Sequence, residues 1–513
     1  MVRQRLKNAW RLIVVMTVAF ALLPVSVAGA GPGTDGFLTE EDPFITMAVP
    51  GNVKAIISSG EEIGSFLFEG LPDGIGVRPG AEKHTVDVYV VHENTTVPFF
   101  GSRDFQDASV SRLTLTTKGG KNQGAVLSAD VPLGPEAGFL RFCSASIAGP
   151  AEGFSDYTLF ANEETNDAGL AVPTGATYGP DTFPGDGTRQ GGYAVVLNTE
   201  TGDYTQVAGM GRLNHENTIA LPGFDQLTML TTDDTFSRPS AQVYMYLADD
   251  QDAVFNDEGT LWAFRVTGKN GVAVDPTEPF NGANDYNDVQ YGDDLTGEFI
   301  PVPADIARGT TADLPQDALE NWSNANNVFQ FVRAEDIAYD KNNPRVVYMA
   351  DTGGSGIQPD PATGRLHRAS GTSVSPNGAI FRFEFSDDDA KVVDSFTKLA
   401  QGDDDSQANF VPFISPDNID TSKKSLMVQE DTDDAKIWQL RLRQGDWRVV
   451  ATVNDSDGES SGIVDVSEWF GGGRWILDVQ GHGVNVDEDT ESVPGTLIKR
   501  ESGQLMLMHI PGS

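Results

Sequence analysis

The sequence predicts an all-β fold: a six-bladed β-propeller with inserted loops and one short helical insertion. Three observations predict it. Short runs rich in β-branched and aromatic residues recur along the 513-residue chain, clusters of turn residues separate them, and helical periodicity is scarce. Carboxylates recur within or beside those runs. Their spacing is unequal, which excludes a fixed-period solenoid and suits blades joined by insertions of different length.

The elements follow in chain order. Arg3, Arg5, Lys7 and Arg11 precede the apolar run from Leu12 to Leu23, and Ala28-Gly29-Ala30 provides small residues for cleavage. That pattern predicts a signal peptide over residues 1–30, read by the general secretory route because no twin-arginine pair is present. The apolar run is too short for a retained anchor, since a span needs about 20 residues, and no later segment is long enough either. Secretion to the periplasm or the exterior is therefore expected, with no membrane span left after cleavage. Residues 31–80 are expected to lead into the propeller, which occupies 81–513.

Seven runs read as strands: Thr85 to Val91, Gly192 to Leu197, Gln242 to Leu247, Thr260 to Val266, Arg345 to Ala350, Ala379 to Phe385 and Arg474 to Val479. Asn198-Thr-Glu-Thr-Gly-Asp, Lys269-Asn-Gly and Ser386-Asp-Asp-Asp read as turns between them. Residues 275–323 read as a polar inserted loop region, with a short helix from Leu314 to Trp322.

Charge narrows the partners. Thirty-five bases oppose 75 acids, a net charge of −40, and loss of the leader removes four bases and no acid to give −44. A field of that sign repels phosphate backbones, so nucleic acid is excluded as a partner, and it attracts cations. The one cysteine, Cys143, allows no internal disulfide. Its neighbours Phe139-Leu-Arg-Phe and Ser144 also suit a buried core thiol.

The repeated carboxylates are Glu93 and Glu216, each in His-Glu-Asn-Thr, and in looser relatives Glu163 and Glu164, Glu335 and Asp336, and Glu430. Propeller strands converge on one axis, so these residues are expected to meet. Acids gathered in one channel need cations to stay ionised. Oxygen ligands suit Ca²⁺ or a trivalent ion, and one thiolate adds an iron-type ligand. Other motifs fail. The second His of a zinc-protease helix is replaced by Thr96 and Ile219. Gly458-Glu-Ser460-Ser-Gly462 matches G-x-S-x-G, but in an acidic loop without strand-turn-helix context. Asp455-Ser-Asp457-Gly begins a calcium loop whose distal Glu position holds Val466.

Seven short motifs in order resemble those of the PhoX-type alkaline phosphatases, a secreted family of six-bladed propellers. They are Val91-His-Glu-Asn, Phe142-Cys143-Ser with Leu159-Phe-Ala-Asn-Glu163-Glu164, Asn214-His-Glu216, Asp257-Glu-Gly-Thr-Leu-Trp-Ala-Phe-Arg, Arg333-Ala-Glu335-Asp336-Ile, Ser415-Pro-Asp417-Asn418 and Asp478-Val-Gln-Gly-His482. The resemblance spans roughly Ala81 to His482. It implies hydrolysis of small phosphate monoesters at Fe³⁺ and Ca²⁺ ions on the axis. Cys143 would bridge the irons as a thiolate. Glu93, Glu163, Glu164, Glu216, Glu335, Asp336, Asp417 and Glu430 would be metal ligands, and Arg333 would grip phosphate oxygens through its planar fork. Asn122 is the nearest counterpart of the family's second phosphate contact. The chain departs from the family in a longer stretch between Cys143 and Glu163 and in Ala334, where the family has Pro. A monomer is expected. Two other readings fit the propeller: a non-catalytic, calcium-stabilised binding module, and a calcium-dependent propeller esterase or lactonase.

Overall fold

A computed structural model of the chain describes residues 36–93, 108–165, 191–235, 241–310, 315–371, 373–454, 458–485 and 501–513. The expected signal peptide and the Asp455–Asp457 motif lie outside them. Among the described residues no helix is long and apolar enough to cross a membrane.

The architecture is an all-β propeller, as expected. Six antiparallel four-stranded sets follow one another, five running along the chain from the axis outward and the sixth completed by an outer strand from the N-terminal side. Their innermost strands are Pro72–Pro79, Phe142–Ala148, His215–Leu221, Ala334–Asp340, Pro416–Thr421 and Gly458–Asp465. Each packs beside the next, and the sixth packs beside the first, so the circuit closes. Between sets lie apolar layers, as between Ile75, Val88 and Val90 of the first blade and Ile476 and Leu505 of the sixth. Side-chain amides pin neighbouring blades near the axis. Asn162 Nδ2 donates to the Glu216 carbonyl at 2.9 Å, and Gln480 Nε2 donates to Asp73 Oδ2 at 2.8 Å.

Residues 31–80 do more than lead in. Asn52–Ser58 is the outer strand of the sixth blade, paired with Glu501–His509, so the two ends of the chain close one sheet. Ile45–Met47 extends the fifth blade, and Pro72–Pro79 opens the first. The inserted region is also more than a loop. Its strand Leu295–Pro301 pairs with Thr260–Lys269 on one side and Val392–Gln401 on the other, joining the third and fourth blades edge to edge. Its longest helix is Pro315–Ala325, close to the expected one.

The feature that positions the site is a register break repeated in all six blades. In the first, Pro72 pairs with His92 but Ile75 pairs with Val90, so three steps on the inner strand match two on its partner. The same bulge falls at Cys143, between His215 and Thr218, between Ala334 and Ile337, between Pro416 and Ile419, and between Ser460 and Ile463. A bulge bends the strand and re-aims the extra residue. Here the re-aimed residues are Asp73, Cys143, Glu216, Glu335, Asp417 and Ser461. Gly74, beside Asp73, must be glycine, because a Cβ there would lie 1.9 Å from the Ala145 nitrogen of the next blade.

Candidate metal centre

The bulges deliver one ring of side chains to the axis, and the ends of the second strands deliver another. In five blades the residue after the second strand donates its N–H to the carbonyl just before the inner strand: Glu93 to Leu71, Glu164 to Arg141, Asp234 to Asn214, Thr352 to Arg333 and Asp431 to Ser415. Strand alternation then separates neighbouring residues. The last residue of the second strand turns off the axis, and in the first two blades the one after it, Glu93 or Glu164, reaches the centre.

That rule sorts the expected ligands. Three overlapping groups have ligand atoms within 4.8 Å of one another: Asp73, Glu93 and Cys143; Cys143, Glu164 and Glu216; and Glu216, Glu335 and Asp417. Cys143 belongs to the first two and Glu216 to the last two, so the groups form one continuous arc. Glu93, Cys143, Glu164, Glu216, Glu335 and Asp417 thus meet, although they come from five blades. Three expected ligands do not join them. Glu163 accepts from Leu140 N–H at 2.8 Å and faces Tyr193 N–H. Glu430 accepts from Ile414 N–H at 3.0 Å, Lys436 N–H at 3.0 Å and Trp438 Nε1–H at 2.8 Å. Both are locking residues in the position of His92, whose ring meets the Gly70 carbonyl. Asp336, the second bulge residue of its blade, accepts from the Asn217 amide and from Ile419 N–H, which ties the third, fourth and fifth blades together.

His92-Glu93 and His215-Glu216 are therefore not blade equivalents, despite their shared letters. The first ends a second strand and the second begins an inner one. Both histidines are buried and bonded internally, His215 to Thr231 and the Gly211 carbonyl, and burial drives both pKa values down to about 4. Asn122 lies in the turn between the outer strands of the first blade, far from the role expected of it. Ser460 is on the bulged inner strand Gly458–Asp465, which is not a nucleophile elbow.

Sequence reasoning missed Asp73, Asp234 and Arg141. Asp73 follows a proline as Asp417 does, so Pro-Asp-Gly could have been matched to Pro-Asp-Asn. Asp234 holds the fork of Arg333: Nε donates to Oδ1 at 2.8 Å and Nη2 to Oδ2 at 2.5 Å, with Glu335 Oε1 at 3.0 Å from Nη2. That edge of the guanidinium, which was expected to grip phosphate, is engaged by Asp234. Asp234 therefore sets the direction of the arginine.

Electrostatics show what the arc can hold. Burial first, and like charges second, push the carboxyls of Asp73, Glu216, Glu335 and Asp417 well above their ordinary range. Glu164 is raised to about 8 by burial, against the pull of Arg141. The Cys143 thiol, 2.7 Å from Glu164 Oε2, is pushed up by burial and by that neighbour. Among the described residues, Asp73 Oδ1 and both oxygens of the fully buried Asp478 have no hydrogen-bond donor. So many buried acceptors with so few donors fit hard cations, and one shared sulfur fits a softer metal beside them. Below the ring the axis continues as a cavity of about 910 Å³, lined by inner-strand residues such as Gly76, Ser146, Ala220, Ala338, Asp420 and Val464.

Comparison with known proteins bears on the fold and the family. None of the curated proteins matches the chain in sequence. Among solved structures, Pseudomonas fluorescens PhoX in complex with vanadate, a transition state analogue, superposes with a TM-score of 0.63 at 14% identity, covering 91% of this chain and 96% of that one. At that identity the likeness is one of fold. Penicillium chrysogenum α-L-arabinanase has a TM-score of 0.39 at 10% identity, covering 90% of this chain and 98% of that one. The family model for alkaline phosphatase PhoX matches residues 151–464, a span that includes Glu164, Glu216, Arg333, Glu335 and Asp417. With well over half of its length matched, the chain belongs to the PhoX alkaline phosphatase family.

Proposed function

We propose that the chain is an exported phosphomonoesterase whose centre is the arc from Asp73 to Asp417, loaded with calcium and iron. The observation that carries this reading is the meeting of Cys143 with Glu93, Glu164 and Glu216, because a buried thiol shared by two acidic groups is a costly arrangement without metal. Asp73, Glu93, Cys143, Glu164, Glu216, Glu335 and Asp417 would hold the ions. When bound, the metals supply positive charge that polarises the phosphoryl group and stabilises charge growing in the transition state.

The chain's own residues do the rest. Arg333, fixed by Asp234, binds and orients a phosphoryl oxygen beside Glu335 and Glu164. The Cys143 thiol donates to Glu164 Oε2 at 2.7 Å, and both groups must be deprotonated to become ligands. A small monoester suits a site ringed by acids, since its charge is compact enough to be met by a few cations and an arginine. The basic leader and the cleavage-type residues Ala28-Gly29-Ala30 support export.

The test is hydrolysis of p-nitrophenyl phosphate by purified protein supplied with Ca²⁺ and iron. Turnover should vanish with a chelator and fall by at least about 100-fold in Cys143→Ala, with loss of iron by elemental analysis. No turnover by the loaded protein, or turnover indifferent to Cys143→Ala, would reject the reading. Calcium without iron, and no turnover, would favour the binding module.

A further inference from the structure

Arg141 occupies in the second blade the position that Arg333 occupies in the fourth. Each immediately precedes an inner strand and stands two residues before a bulge residue of the ring, Cys143 or Glu335. Each sends Nε and Nη2 to the acid that follows the second strand of the preceding blade. Arg141 meets Glu93 Oε1 at 3.1 and 2.9 Å, as Arg333 meets the two oxygens of Asp234. Each then reaches a second carboxylate through Nη2: Glu164 Oε2 at 2.9 Å, Glu335 Oε1 at 3.0 Å. The two arginines are thus related by a rotation of two blades, with Glu216 of the third blade between them.

The fold does not require an arginine there. Equivalent positions hold Leu71, Asn214 and Ser415, and Leu71, Arg141 and Ser415 share a left-handed φ of 48–49°, so the turn is set by the strand entry and not by the side chain. Exposure separates the arginines from what they touch. The side chains of Arg141 and Arg333 are 32% and 22% exposed, against 6% for Glu164, 2% for Glu335 and 0% for Asp234. Both guanidinium side chains are therefore more open to solvent than Glu164, Glu335 and Asp234, which they hold.

We propose that Arg141 is a second anion-contacting residue that sets specificity, so that a phosphoryl group is received between two guanidiniums. Two cationic forks favour the dianion of a monoester over the single charge of a diester. This inference rests on the phosphatase reading above. Its rival is a purely structural arginine that neutralises Glu93 and Glu164.

The experiment compares the metal-loaded wild type with Arg141→Gln, Arg141→Lys and Arg333→Gln. It measures kcat and KM for p-nitrophenyl phosphate and for bis(p-nitrophenyl) phosphate, inhibition by inorganic phosphate, and metal content. Arg141→Gln should raise the monoester KM and the phosphate inhibition constant about 10–100-fold while metal content holds, and should shift preference toward the diester. Arg141→Lys should recover part of the loss. The proposal is overturned if both constants stay within about twofold of wild type, or if metal is lost from the Gln and Lys variants alike. If Arg333→Gln loses phosphate inhibition and Arg141→Gln does not, this inference alone fails. If the wild type neither turns over nor is inhibited by phosphate, the phosphatase reading falls and takes the inference with it.

Discussion

Glu163 and Glu430 each stand one residue before a carboxylate that reaches the centre or its margin, Glu164 and Asp431, and that single step separates scaffold from site. In an extended strand successive side chains point to opposite faces, so the two members of an acidic pair cannot do the same work. The member on the strand closes the entry to its blade by accepting backbone N–H groups, and the next one faces the axis. Sequence reading named both members of the first pair and, of the second, only Glu430, the one that locks the strand, because composition does not tell which of two adjacent acids leaves the strand. The consequence is testable at Glu430, which accepts from Ile414, Lys436 and Trp438. Glu430→Gln replaces a charged acceptor of three donors with an amide that can satisfy fewer of them. It should cost about 1–3 kcal/mol of stability, read as a lower denaturant midpoint, and leave metal content and kcat/KM unchanged. A variant of unaltered midpoint that had lost a bound ion would return Glu430 to the ligand set.

At the scale of the element, legibility in the sequence divided along the radius of the propeller. None of the seven runs read as strands is innermost; they are second, third and fourth strands, several of them buried on both faces, and all are rich in β-branched and aromatic residues. The inner strands open with Pro-Asp-Gly, Phe-Cys-Ser, His-Glu-Asn, Ala-Glu-Asp and Pro-Asp-Asn, and their bulges break the alternation that marks a strand. The site was visible as a set of recurring acids, and the bulged inner strands carrying most of it were not. The insertion shows a related effect: its polar composition reads as loop, yet it buries Asp285 and Tyr286 against the fourth blade. Burial, reinforced by Asp288 and opposed by Arg365, raises the Asp285 carboxyl to about 7. Below its ordinary pKa of 3.8 the group is protonated in both the folded and unfolded chain and costs nothing. As pH rises from about 4 to 7 only the unfolded chain releases the proton, so stability falls through that window and then levels. Asp285→Asn keeps an oxygen for the Asn287 N–H, which Asp285 now accepts at 2.8 Å. It should match the wild type at pH 4 and exceed it by on the order of 2–4 kcal/mol at pH 8, measured by denaturant unfolding at both values. Parallel curves at the two pH values would mean that the carboxyl is relieved in some other way.

For the whole molecule, the acid excess acts in two places with different physics. Most of the −40 charge lies on the surface, where exposed runs such as Asp387–Asp389 repel one another through water and any salt screens them. The axial arc is buried, so screening reaches it weakly, and its acids come from five of the six blades whose inner strands form the closed circuit. An ion held there binds only the folded chain and links blades that are otherwise joined by apolar layers and a few amides. Such an ion stabilises by about 4 kcal/mol at a concentration 1,000 times its dissociation constant, and several ions add. Treating the protein with a chelator should therefore lower its unfolding temperature by several degrees or more in a single transition, because every blade loses its axial neighbour at once. Millimolar Ca²⁺ should restore most of that loss. Molar NaCl should not, although it would relieve surface repulsion in both forms equally. Differential scanning calorimetry of chelated protein with each addition reads the outcome. Recovery by NaCl as complete as by Ca²⁺ would place the electrostatic strain on the surface and remove the axial ring as the point that unites the blades.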